Sequence, residues 1–212
     1  MPSVVTDRRA ALKARHRAAI LAAAAALIAE HDGPGFGVDE LAARADVARR
    51  TVFNHFGSLD EVLLSVCTDA LTVLVEGFLT SVASTAVGDG SRSSMLDELA
   101  VSLHRSDLPR AIATVHQVID GTGPLRDRAI DFARAGFSRT GDLLRQEVAR
   151  RNPAADDLDV DLLVGSLMSG LAVISRRWTE LTDARLDDAS RAEWDQLLAR
   201  LLHSVRSGYM PT

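Results

Sequence analysis

GFGVDELAARADVARRTVFNHFGSLDEVLLSV, residues 35–66, is the stretch whose reading decides the fold. Two short helices can cross closely only under certain conditions. The first must carry a small residue, the turn must tolerate left-handed φ, and apolar anchors must lie on both sides. Residues 38–45 predict a short helix with Ala42 as its small residue, and residues 49–56 predict a second. Leu41, Ala45, Val47 and Val52 supply the anchors, and Asp46 is the turn residue. Glycine suits such a turn better, but aspartate is among the few residues that enter the left-handed region without a large penalty. Gly57 and Ser58 then separate this pair from a long helix. In that helix Ser58 can accept a backbone N–H, and Asp60 and Glu61 complement the dipole.

Working outward, residues 8–31 have high helix propensity, with Leu12, Ile20, Leu27 and Ile28 spaced by about whole turns until HDGPGFG stops the pattern. Beyond residue 58, helices are predicted at 58–84, 93–105, 108–119, 125–151, 156–181 and 189–206, punctuated by VGDGSRSS, GTGP and NP. Hydrophobic residues make up 47% of the 212, aromatics 4%, and there are only six prolines. This balance favours helices over a β-branched, aromatic sheet. The expectation is an all-α chain of about nine helices: a three-helix, helix-turn-helix domain over 1–60 and a larger helical domain over 61–212.

The net charge is −5, but residues 1–60 carry +1 and the remainder −6. Arg8, Arg9, Lys13, Arg15 and Arg17 are opposed by Asp7 alone within the first 29 residues, so the acidic total does not argue against nucleic acid. Cys67 is the single cysteine, which rules out an intrachain disulfide and points to a reducing cytoplasm. The run AAILAAAAALIAEH follows basic residues as a signal peptide would. It is alanine-dominated, however, has Leu27 where a small residue should precede a cut after Ala29, and is too short to span a bilayer. No membrane partner is expected.

The stretch 35–66 resembles the DNA-binding region of TetR-type transcriptional repressors, whose pattern runs TTVxxIAxxAGVSxxTxYxHFxSKExL, with matching spacing over about thirty residues. The resemblance implies a recognition helix in which Arg49, Arg50, Thr51, Phe53 and His55 meet bases and phosphates, with Asn54 peripheral. Four residues depart from the pattern: Gly37 for a capping threonine, Asp46 for glycine, Ala48 for a capping serine, and Leu59 for lysine. Arg44, Arg49, Arg50 and the N-terminal basic residues are the groups available to compensate. The arginine pair has its own physical logic. Cations in a helix's first turn oppose its dipole by about 0.3–1 kcal/mol each, and an alanine N-cap forfeits about 1 kcal/mol. Such a start makes sense if the guanidinium groups face phosphate or, bidentately, guanine.

In the larger part, Gly165, Ser166, Ser169 and Gly170 are small residues on helix 156–181, which also carries Ile174. Trp194, Leu198, Leu201 and Leu202 belong to an i, i+3, i+4, i+7 stripe on the last helix. By resemblance to the family's dimer interface, these two helices pair with their copies as a four-helix bundle. Phe78, Met95, Leu103, His104, His116, Gln117, Phe132 and Phe137 are the candidate lining of a pocket for a small-molecule effector. No enzyme, metal or cofactor is expected: there is no Gly-rich phosphate loop, no His-x-x-x-His, no Glu-x-x-His and no nucleophile motif around Cys67. DDLDVD opens like a calcium loop, but Leu162 stands where glycine is needed and Met168 where the closing glutamate is needed. The expected function is a ligand-responsive repressor binding a palindromic operator as a homodimer. The competing expectation is a helical small-molecule-binding or scaffolding protein with a degenerate DNA module.

Overall fold

A computed structural model describes residues 4–119 and 124–208, with side chains for 10–118, 127, 128, 130, 131 and 133–208. Among the described residues there are nine helices and no strand. They are α1 (Val4–His31), α2 (Val38–Arg44), α3 (Arg49–His55), α4 (Leu59–Ser84), α5 (Arg92–Arg105), α6 (Leu108–Ile119), α7 (Pro124–Arg151), α8 (Asp157–Thr182) and α9 (Asp188–Ser207). The all-α expectation holds, and each predicted helix is present within a few residues of its expected ends. The chain divides into two compact units, Met1–Ala70 with Gln117–Ile130, and Leu71–His116 with Asp131–Thr212. The division falls inside α4, α6 and α7, whereas a reading in chain order places a boundary at residue 60.

In the first unit, α1 buries Ile20, Leu21, Ala23, Ala24, Leu27 and Ile28. Its alanines present little bulk, so α2 and α3 can lie close against it. Leu41 and Ala42 of α2, Val52 of α3 and the flanking Phe36 and Phe56 close that core. Asp46 adopts φ 53°, the left-handed turn expected of it, and Val47 N–H returns to the Ala42 carbonyl at 3.0 Å. Gln117 Nε2 donates to Asp32 Oδ1 at 3.0 Å, tying the returning segment to the end of α1.

The second unit has one large core assembled from α4 to α9, in which Phe78, Met95, Leu103, Leu144, Leu167 and Trp178 are buried. Trp178 donates its indole N–H to the Ser190 carbonyl at 2.7 Å and meets Trp194 edge to face at 6.0 Å. The acidic run before α8 works as a helix start: Asp156 is the N-cap and accepts from Leu158 N–H at 2.9 Å, and Asp157 and Asp159 occupy the first turn. α4 and α8 are long and apolar enough to cross a bilayer, but α8 spends its apolar face on Leu163, Leu167, Leu171, Ile174 and Trp178, all buried here. Between α4, α5 and α7 lies a buried ion pair. Arg151 Nη2 reaches Glu98 Oε2 at 3.2 Å, and Arg151 Nη1 donates to the Ala83 carbonyl at 3.0 Å. The other Glu98 oxygen accepts from Gly88 N–H at 2.9 Å.

Candidate nucleic-acid interface

α3 begins on Ala48, whose backbone is extended (φ −70°, ψ 146°) and whose side chain makes no cap. α2 begins equally bare on Gly37. α4, by contrast, is capped reciprocally: Glu61 N–H bonds Ser58 Oγ at 3.2 Å while Glu61 Oε2 accepts from Gly57 N–H at 2.7 Å. Leu59, in the place where the family pattern has lysine, opens α4 half-buried and brings no charge. The helix-turn-helix therefore leaves the N-termini of its own two helices without side-chain caps.

The two arginines at the tip of α3 stand in different surroundings. Arg49 Nη1 donates to both carboxylate oxygens of Asp39, at 2.9 and 2.8 Å, and its guanidinium lies 5.8 Å from the centre of the Phe53 ring. Arg50 is exposed and has no ion-pair partner among the described residues. Phe53 is 45% exposed, Asn54 is exposed and Thr51 is half-buried. Arg50, Phe53 and Asn54 are three and four residues apart, so they share one face of the helix. Arg44 is turned the other way, bonding Glu30 with both terminal nitrogens, one of them at 2.9 Å. That bond raises the Arg44 pKa and lowers the Glu30 pKa, and both groups are open to solvent, where a polyanion can compete for the arginine.

His55 ends α3 half-buried, with its ring edge-on to His16 at 6.1 Å. Burial, followed by the charges of Lys13, His16 and Arg17, holds its pKa below the ordinary histidine value. Arg17 lies 4.4 Å over the buried Phe56 ring and contacts Ser65 Oγ at 3.4 Å. α1 thus brings Lys13, His16 and Arg17 to the C-terminal end of α3, which concentrates positive charge beside it. The α1 bases can be counted in the sequence but not placed. Asp39 and Glu30 are not visible there as partners, because carboxylates ten and fourteen residues from their arginines leave no periodic signal.

The candidate effector residues stand in different surroundings. Phe78, Met95 and Leu103 are core; His104 is exposed with Nδ1 at 2.7 Å from the Ala100 carbonyl; and His116 lies 3.9 Å from Asp183. Gln117 belongs to the first unit, Phe137 is 38% exposed, and the Phe132 side chain lies outside the described residues. An open cleft of 570 Å³ sits instead beside the α4–α5 loop, lined by Gly88, Asp89, Ser91, Ser94 and Glu98 among others. Of the candidate interface residues, Ile174, Trp194, Leu198, Leu201 and Leu202 are buried inside this chain, and a Cβ on Gly170 would collide with Leu201 Cδ1. Helical periodicity shows that a stripe is buried but not against which chain, and α8 and α9 bury these stripes on each other. Ser166 is half-buried, while Gly165 and Ser169 remain exposed.

An arginine-tipped second helix beside a basic first helix is the arrangement of a helix-turn-helix domain. Residues 20–66 match the family model for bacterial regulatory proteins of the tetR family. Solved structures share the fold along nearly the whole chain. A candidate TetR-family regulator from Mesorhizobium loti MAFF303099, 16% identical, superposes with a TM-score of 0.66 over 92% of this chain and 96% of that one. SmeT, the repressor of the Stenotrophomonas maltophilia multidrug efflux pump SmeDEF, is 20% identical with a TM-score of 0.52 over 89% of each chain. The multidrug binding protein EbrR, complexed with imidazole, is 22% identical with a TM-score of 0.51 over 88% of this chain and 92% of that one. No curated protein sequence matches this chain.

Proposed function

We propose that the protein is a cytoplasmic, ligand-responsive repressor that holds a palindromic operator as a homodimer. The observation that carries this reading is the exposed face of the uncapped helix α3, where Phe53 and Asn54 stand beside an Arg50 that has no ion-pair partner among the described residues. Thr51 and His55 flank that face, Arg44 can exchange its carboxylate for phosphate, and Arg49 has its Nε and Nη2 without hydrogen-bond partners among the described residues. On α8, Leu158, Leu162, Gly165, Ser169 and Val173 form an exposed, largely apolar strip opposite the buried one. Two-fold pairing through this strip covers it and sets two recognition helices about one DNA turn apart. Likeness in fold to a multidrug binding protein and to the repressor of a drug efflux pump supports a small-molecule effector in the larger unit. An effector acts by binding one arrangement of the dimer more tightly than the other.

A second reading, a helical binding or scaffolding protein with a degenerate DNA module, draws on the intrachain neutralisation of Arg44 and Arg49. Binding to the protein's own upstream DNA across a salt series separates the two. A repressor binds its operator far above random duplex, loses affinity steeply with salt, and loses about 1–3 kcal/mol in Arg50→Ala. Affinity no better than for random duplex gives the scaffold reading. A monomer at micromolar concentration in equilibrium sedimentation removes the dimer.

A further inference from the structure

We infer that Asp39 is a positioning residue that makes Arg49 a guanine reader. The inference rests on the DNA-binding reading above and adds to it which arginine is orientationally fixed and by what. Arg49 donates through Nη1 alone, to both oxygens of Asp39 at 2.9 and 2.8 Å. Its Nε and Nη2 have no hydrogen-bond partner among the described residues. Those two nitrogens form one edge of the planar guanidinium, and their paired N–H groups match guanine O6 and N7. Phe53, four residues on, lies 5.8 Å from the guanidinium carbon and limits its swing. Arg50 has no such restraint, so it can follow a phosphate but pays more entropy to hold a base edge.

The position of Asp39 fits this role. It occupies the first turn of α2, where the helix dipole favours a carboxylate. There it supplies the counter-charge that the uncapped start of α3 lacks. A carboxylate at a DNA-facing surface also repels phosphate. Asp39 therefore costs non-specific affinity and sharpens the choice of one base.

The test is selection from a pool of duplexes with a randomised central segment, sequenced after binding to the wild-type protein, Asp39→Asn, Arg49→Ala and the double variant. Wild type is expected to select guanine at one position of each half-site. Asp39→Asn, which is nearly isosteric, is expected to lower that preference about tenfold, within the range a bidentate arginine–guanine pair supplies, while other positions hold. Its affinity for random duplex should rise, and the double variant should read no worse at that position than Arg49→Ala. Matching circular dichroism melts show that the variants fold. If Asp39→Asn keeps the full guanine preference and merely binds all duplexes more tightly, Asp39 only screens Arg49 and the inference is overturned. If the wild type selects no sequence at all, the DNA-binding reading fails first and the inference falls with it.

Discussion

Two arginine–carboxylate pairs mark the two units. Arg151–Glu98 in the larger unit is 5% and 7% exposed, and both oxygens and all three nitrogens of the pair bond backbone or each other. Arg49–Asp39 in the helix-turn-helix is 59% and 77% exposed and depends on one nitrogen. The chemistry is the same and the dielectric surroundings are not. A buried pair cannot exchange its partners for water, so it fixes the ends of α4 and α7 to the middle of α5. An exposed pair adds little stability and leaves the remaining N–H groups of its arginine open to solvent, which is what a surface that must meet a polyanion requires.

The sharpest way to break this contrast is to cut both pairs. Arg151→Ala leaves Glu98 buried without its cation and is expected to cost about 3–5 kcal/mol in denaturant unfolding, whereas Arg49→Ala should change stability by less than about 1 kcal/mol. Equal losses would mean that burial does not separate them. The next largest effect contrasts two faces of α8. Gly170→Ala drives a methyl into Leu201 and should destabilise by about 1–3 kcal/mol. A Cβ on Gly165 meets nothing within 4 Å, so Gly165→Ala should be neutral or gain up to about 1 kcal/mol in the isolated chain. If Gly165→Ala instead weakens self-association in sedimentation, the exposed strip is the dimer contact.

The smallest effect is that of pH at the end of α3. His55 has its pKa depressed in the folded chain, so unfolding takes up a proton. Its contribution to stability is present above the ordinary histidine value and is lost as pH falls through that value towards the folded one. A phosphate beside His55 favours the charged ring, so DNA affinity should rise over the same fall in pH. His55→Gln should reduce both slopes, measured by melting and by duplex binding. An unchanged binding slope would take His55 out of the contact surface.

Much of the fold was legible because its signals are local. Helix lengths follow from apolar spacing at one turn, and loops from Gly, Pro and Ser clusters. The left-handed turn at Asp46 follows from the short list of residues that tolerate it. The site was legible in part: residues 49–55 came from a pattern confined to thirty consecutive positions. The effector lining was not, since Phe78 and Met95 look alike in sequence whether they face a cavity or a core, and here they are buried in the core. The use of α8 and α9 was not either, because a period of 3.6 gives the width of a buried face and not the identity of what covers it.

The sequence by itself determined nine helices, a helix-turn-helix near the N-terminus, and two arginines at an uncapped, dipole-opposed helix start. Only the tertiary structure decided that these arginines differ, because Asp39 comes to Arg49 across the turn while Arg50 is left open. It likewise decided that Lys13, His16 and Arg17 gather at the other end of α3, and that Trp194 and Leu198 are spent inside the subunit. The reason is one of range. Propensity, capping and turn chemistry act over a few residues, whereas charge pairing and burial depend on which distant segments the packed core brings within a few ångströms.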